Sequence, residues 1–242
     1  MLFSRLMDYT DCAKRWLAKM VEAVKRNDID MVELLRVKTY SDIDSLFVVA
    51  IEHGNLQIAE YFYNLGCCPN AKDDYAMRIA ASNGHLAMIK YLIDIDCDPN
   101  CLDAYPLRVS SQNGHLNIVE YIVNLGLCTQ DQYNSALICA ADNGQADVVK
   151  YLVSVGANPK QTNTGVYGSE YDSLAYSHQN GQHKIHDYLY LLLSKKDIQA
   201  YDYYYGSTNV SYDMITPKHL KKYNLLKFVL KPTSMAMQLS YL

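Results

Sequence analysis

The chain is predicted to be all-α, a solenoid of helix-turn-helix units joined by short connecting loops, and three observations predict it. Glycine-ended turns at Gly54, Gly84, Gly114 and Gly144 recur at an interval of 30 residues. An apolar run of helical periodicity follows each turn. Each run then closes at Gly66, Asp96, Gly126 or Gly156, with Pro69, Pro99 and Pro159 soon after three of them. A fixed period between about 20 and 50 residues means that one small unit, unable to bury its own apolar face, is stacked on copies of itself. Such a stack presents surface, so binding is the first expectation and catalysis the second.

Within a unit, Phe47, Met77, Leu107 and Leu137 mark one face of a short first helix, and Ala50, Ala80, Ser110 and Ala140 follow three residues later. Small side chains in that column let neighbouring first helices approach closely. The turn glycine ends this helix by supplying a backbone of positive φ. The second helix carries Ile58, Met88, Ile118 and Val148, then Tyr61, Tyr91, Tyr121 and Tyr151, then Leu65, Ile95, Leu125 and Val155. That spacing forms one apolar stripe. Glu60, Lys90, Glu120 and Lys150 alternate in sign on the other face and predict a weak ladder of exposed ion pairs. Cys67, Cys97, Leu127 and Ala157 share one slot just past the second helix, which predicts small buried packing residues there.

The order of helix, glycine turn, helix, glycine and Pro-Asn resembles the ankyrin repeat. The family's opening Thr-Pro-Leu-His is matched by Tyr75-Ala76-Met77-Arg78 and Tyr105-Pro106-Leu107-Arg108, followed by Ala80-Ala81 with Gly84-His85, or by Gly114-His115, and Gly156-Ala157 keeps a later element. The resemblance covers roughly residues 40–195 and implies an ankyrin-repeat solenoid that binds protein partners. Two departures stand out. Tyr and Arg replace Thr and His, so the hydroxyl-to-imidazole bond that staples the family's first turn cannot form as written. The period of 30 in place of the family's usual 33 implies shorter loops. Ankyrin proteins of large DNA viruses and of amoebae look similar in both respects.

The ends are less regular. Residues 1–39 read as a degenerate N-terminal capping repeat, with a first helix over 8–26 and Asn27 in the glycine's place. Residues 40–195 are the repeats, and the last unit spans 169–195 because Gly181 follows Gly144 by 37 residues, with an inserted loop over 162–168. Residues 196–242 form a non-repeat tail, Tyr-rich at its start, with Lys218, Lys221 and Lys222 ahead of an apolar run from Leu225 to Leu230.

Composition narrows the function. Residues 40–160 hold Lys72, Arg78, Lys90, Arg108, Lys150 and Lys160 against more than twice as many carboxylates, which argues against a nucleic-acid partner. No stretch reaches the ~20 apolar residues a membrane span requires, and the N-terminus lacks a secretory core. Seven cysteines follow the repeat instead of a pairing scheme, so reduced thiols and an intracellular, cytoplasmic location are expected.

No catalytic constellation, phosphate loop or serine elbow is present, so the chain is read as noncatalytic, with no cofactor and no metal. His183 and His186 share a helix without needing a ligand, and Cys97 with Cys101 lacks a second pair at zinc spacing. The tyrosine column is read as packing and not as a base-stacking platform. Asn70 and Asn100 occupy the loop position at which the family can be hydroxylated by an asparaginyl hydroxylase; the alternative is a bond to loop backbone. Positions that vary while the framework stays fixed are the candidate protein-binding residues: Asp73, Asp74, Arg78, Ser82, Asp103, Arg108, Gln112, Asp131, Tyr133 and Asp142, on the concave side. They suit a basic or mixed-charge protein partner of a monomer, although a solvated face accounts for the same residues. A second reading makes the chain a substrate adaptor whose tail docks a ubiquitin-ligase or similar complex.

Overall fold

A computed structural model of the protein describes residues 2–35, 43–160 and 173–192. Among these residues the chain forms six consecutive helix pairs and no strand. The pairs are α1 (Leu2–Lys25) with α2 (Ile29–Leu35), α3 (Ile43–Glu52) with α4 (Leu56–Asn64), α5 (Ala71–Asn83) with α6 (Leu86–Asp94), α7 (Cys101–Asn113) with α8 (Leu116–Asn124), α9 (Gln130–Asp142) with α10 (Ala146–Ser154), and α11 (Ser173–Gln179) with α12 (His183–Tyr190). The inserted loop at 162–168, the 36–42 boundary and the tail from 196 lie outside the described residues. The first helix is longer than the expected 8–26, beginning at Leu2.

The first helices α3, α5, α7, α9 and α11 pack against one another in one layer, and α4, α6, α8, α10 and α12 form the second. Neighbours in the first layer pack far more extensively than neighbours in the second. The sequence explains the difference, because Ala50, Ala80, Ser110 and Ala140 are fully buried at the first-layer contact. Ser110 satisfies its hydroxyl by donating to Leu107 O at 3.0 Å, and Ser177, in the same column of the last unit, donates to Leu174 O at 2.8 Å. Closer spacing on one side of a stack curves it toward that side, so the first-helix face is the inner one. The tyrosine column lies partly buried against the core, as its spacing predicts.

Two kinds of glycine punctuate the units. Gly84 ends α5 at φ 83°, and a Cβ placed on it would stand 2.8 Å from the His115 ring of the next unit, so both the backbone and the neighbour exclude a side chain. The glycines after the second helices meet nothing within 4 Å, and there Asp96 adopts φ 64° in the same role. At the N-terminal turn Asn27 takes φ 56°, where the next unit offers Asn55 in place of a histidine.

Polar side chains tie unit to unit at those turns. His85 Nε2 lies 3.0 Å from Glu52 O, and Asn83 Nδ2 donates to the same carbonyl at 3.2 Å. His115 Nε2 and Asn113 Nδ2 converge likewise on Ser82 O, at 2.9 and 2.8 Å. Gln145 Nε2 repeats the contact to Gln112 O at 3.0 Å. The Asn-Gly-His sequence is therefore a two-donor clamp on the preceding first helix.

Two expectations are corrected. Leu127 is 55% exposed, whereas Cys67, Cys97 and Ala157 in its slot are buried. Its loop lacks Pro-Asn; Thr129 caps α9 instead, in a reciprocal box with Gln132, and half-buried Cys128 turns inward in Leu127's stead. The outer charge ladder does not form among the described residues. Lys90 Nζ lies over the Tyr121 ring at 5.3 Å from its centroid, and Lys150 pairs with Asp147 within its own helix at 3.3 Å.

Candidate functional site: the first-helix face and its fingers

The segments leading into the first helices project as fingers, and their backbone is unusual. Lys72, Asp73 and Asp74 adopt φ of 57°, 56° and 53°, and Leu102, Asp103 and Ala104 adopt 48°, 57° and 54°. Each triplet is a single left-handed turn, closed by Asp74 N donating to Asn70 O at 3.4 Å and Ala104 N to Asn100 O at 3.1 Å. Right-handed helix resumes at Tyr75 and Tyr105. Pro106 falls in the first turn of that resumed helix, where its missing N–H leaves no bond unmade. In the third finger α9 is regular from Gln130 onward.

The candidate residues fall into two rows separated by the length of a first helix. At the fingers, Asp73 is exposed, while half-buried Asp74 accepts from Asp98 N at 3.3 Å. Burial is the main reason the Asp74 carboxyl is pushed above the ordinary value. Asp103 is exposed, accepts from Gln132 Nε2 at 2.9 Å and faces Arg108 Nη1 at 3.5 Å. Asp131 is exposed, and Tyr133 is partly buried against the core with its phenol raised by desolvation. At the far end of the helices, Ser82 and Gln112 offer their carbonyls to the clamps described above. Asp142, raised mainly by burial, accepts from Asn180 Nδ2 of the last unit.

Arg78 and Arg108 replace the family's missing staple. Arg78 Nη2 donates to Lys72 O at 3.0 Å, and Arg108 Nη2 to Leu102 O at 3.4 Å. Arg78 lies between two rings, 5.1 Å from the Tyr75 centroid and 5.7 Å from that of Tyr105. Arg108 lies 5.8 Å from Tyr105, so one ring serves both guanidinium groups. Tyr75, Tyr105, Gln132 and Lys72 also stand at this candidate face, and the unit-by-unit variation did not single them out. The tyrosine-then-arginine pair at i, i+3 in just these two units is the signal that finds the rings.

Asn70 donates through Nδ2 to Asp96 O at 3.2 Å and accepts from Cys97 Sγ at 3.1 Å, a bridge between loops that Gln130 repeats to Gly156 O at 2.7 Å. Asn100 Oδ1 has no such partner, because the residue at the thiol's sequence position in the next loop is Leu127, which turns outward. A cleft of about 210 Å³ opens between Phe47, Val48, Tyr75 and Lys72, below the ~300–1,000 Å³ of small-molecule pockets.

Burial raises Cys67, Cys97 and Cys101 to about 12, which suits inert packing thiols. His186 is 4% exposed, with its ring 5.0 Å from that of His178, and His183 is exposed. Among the described residues no group of three or more His, Cys, Asp or Glu side chains could hold a metal ion, and no helix is long and apolar enough to cross a membrane.

No curated protein matches the chain. A family model described as ankyrin repeats (3 copies) matches residues 20–103 and 77–163, together more than half of the 242 residues. That match, the stacked helix pairs and the glycine-histidine clamps agree, and the chain belongs to the ankyrin-repeat family.

Proposed function

We propose that the protein is a noncatalytic binding module that holds a protein partner on its first-helix face, with the fingers as the principal contact. Ankyrin-repeat folds generally mediate protein–protein interaction. The observation that carries the choice of face is the line of exposed carboxylates Asp73, Asp103 and Asp131 on successive fingers, beside Leu102, which is 48% exposed. Acidic groups flanking an apolar side chain favour a partner surface of basic or mixed charge. Asp74, Arg78, Ser82, Arg108, Gln112, Tyr133 and Asp142 border this line and complete the proposed surface.

The 30-residue period and the Tyr/Arg exchange support placing the chain with the short-period ankyrin proteins of large DNA viruses and amoebae. The unpaired thiols of Cys67, Cys68, Cys97, Cys101 and Cys128 support a reducing, cytoplasmic setting, and the domain division at 39/40 and 195/196 goes with this reading, as does a monomeric state. The test is charge reversal of Asp73, Asp103 and Asp131 in affinity capture from cross-linked host cells. Loss of a partner that the wild type retains supports the face; retention of every partner removes it.

A further inference from the structure

We propose that Arg78 and Arg108 are latches that hold the first two fingers in their left-handed form, and so act as positioning residues for Asp73 and Asp103. Both arginines make the same bond, from Nη2 to the carbonyl six residues earlier. In each case that carbonyl belongs to the first residue of the left-handed triplet, Lys72 or Leu102. A guanidinium donor gives that oxygen a charge-assisted bond, and its planar fork is pinned by the tyrosine rings.

The third finger is the internal comparison. Ile138 and Ser135 stand where the arginine and tyrosine stand in the two earlier units, the left-handed triplet is absent, and the Thr129–Gln132 box starts the helix in the ordinary way. Left-handed backbone at three consecutive non-glycine residues is unfavourable and persists only where surrounding contacts over-determine it. Arginine and left-handed finger occur together twice and are missing together once. Tyr105, between Arg78 and Arg108, also couples the two fingers, and Arg108 adds an ion pair of 3.5 Å to Asp103 itself.

The latch does not depend on what the protein binds; only its consequence for a partner rests on the function proposed above. The experiment is hydrogen exchange of the full-length chain, read at the Asp74 and Ala104 amides that close the two turns, with the α10 amides as the control for folding. Arg78→Met is expected to speed exchange at Asp74 about tenfold, the size of one lost hydrogen bond, and to speed Ala104 less through Tyr105. Arg108→Lys keeps the charge but not the fork and is expected to behave as Arg108→Met does. Asp73→Gly in the Arg78→Met background is expected to restore protection, since glycine accepts positive φ without strain.

Unchanged exchange at both turns in the Met variants, or faster exchange on Asp73→Gly, overturns the latch. A latch that passes these tests while charge reversal at Asp73 and Asp103 leaves every partner bound would leave the inference standing and remove only the binding face.

Discussion

Replacing Gly84 by alanine tests the inter-unit clamp with a magnitude that the geometry supplies. At φ 83° an alanine pays the left-handed penalty, about 1–2 kcal/mol. Its Cβ would also stand 2.8 Å from Cε1 and 2.9 Å from Nδ1 of His115, an imidazole bonded to Ser82 O. The ring must move, and the net value of one hydrogen bond, about 1 kcal/mol, goes with it. The total loss is about 2–3 kcal/mol. In a His115→Ala background the ring is gone, and the same glycine substitution should cost only its backbone share, so the cycle shows a coupling of about 1 kcal/mol. Gly126→Ala is the internal control, since its φ of 69° is positive but no atom lies within 4 Å of the new Cβ. Its cost should match the backbone share alone. Urea unfolding followed by far-UV circular dichroism measures all of these. Strict additivity of Gly84→Ala with His115→Ala, or equal costs for Gly84→Ala and Gly126→Ala, would refute the clamp.

Other expectations follow from burial and charge. Burial first, and then the neighbouring His178, hold His186 below the ordinary 6.5, while contact with Asp187 works in the opposite direction. The unfolded chain therefore binds this proton more readily; the last unit keeps its full stability above about pH 6.5 and loses it as pH falls from there toward the lower folded value. Urea midpoints measured across that window should decline in the wild type and stay flatter in His186→Gln. Among the described cysteines only Cys68 is exposed, so a maleimide should modify it rapidly in the native protein, with Cys67, Cys97 and Cys101 protected until unfolding; mass spectrometry of quenched time points decides. The single tryptophan, Trp16, donates to Leu35 O at 2.9 Å and reports the N-terminal unit. Because end units of a stack have one neighbour, its fluorescence should change at lower urea than the far-UV signal, and coincident transitions would contradict independent fraying.

The architecture was legible from periodicity because each structural role recurs at one residue per unit. Positions such as Ala80 and Gly84 are constrained by a neighbouring copy that the sequence itself displays 30 residues away. Asn27 and Asp96 could be read as glycine substitutes for the same reason, and both adopt positive φ. Where a unit departs from its copies, inference by analogy fails. Leu127 was assigned the thiol's slot, but the replacement of Pro-Asn by Thr-Gln starts α9 differently and turns Leu127 outward. The charge ladder failed for another reason: exposed lysines choose among several weak partners, and Lys90 meets the Tyr121 ring instead of a carboxylate.

The candidate surface was legible as variation but not as geometry. Variation marked Arg78 and Arg108, yet their bonds to Lys72 O and Leu102 O depend on a left-handed backbone that no residue type announces, since neither triplet contains glycine. It also marked Asp74, whose carboxylate is engaged by Asp98 N. The carboxylates that remain exposed at the fingertips are Asp73, Asp103 and Asp131.

The most direct test of the central claim places a photo-crosslinking side chain either at Asp103, on a finger of the first-helix face, or at Glu120, on the exposed surface of the second-helix layer. The full-length chain would be expressed and irradiated in its host cells. A discrete protein adduct is expected at the finger position, none at Glu120, and loss of that adduct when Asp73 and Asp131 are reversed in charge. An adduct formed only at Glu120, or formed equally at both positions, would contradict the claim.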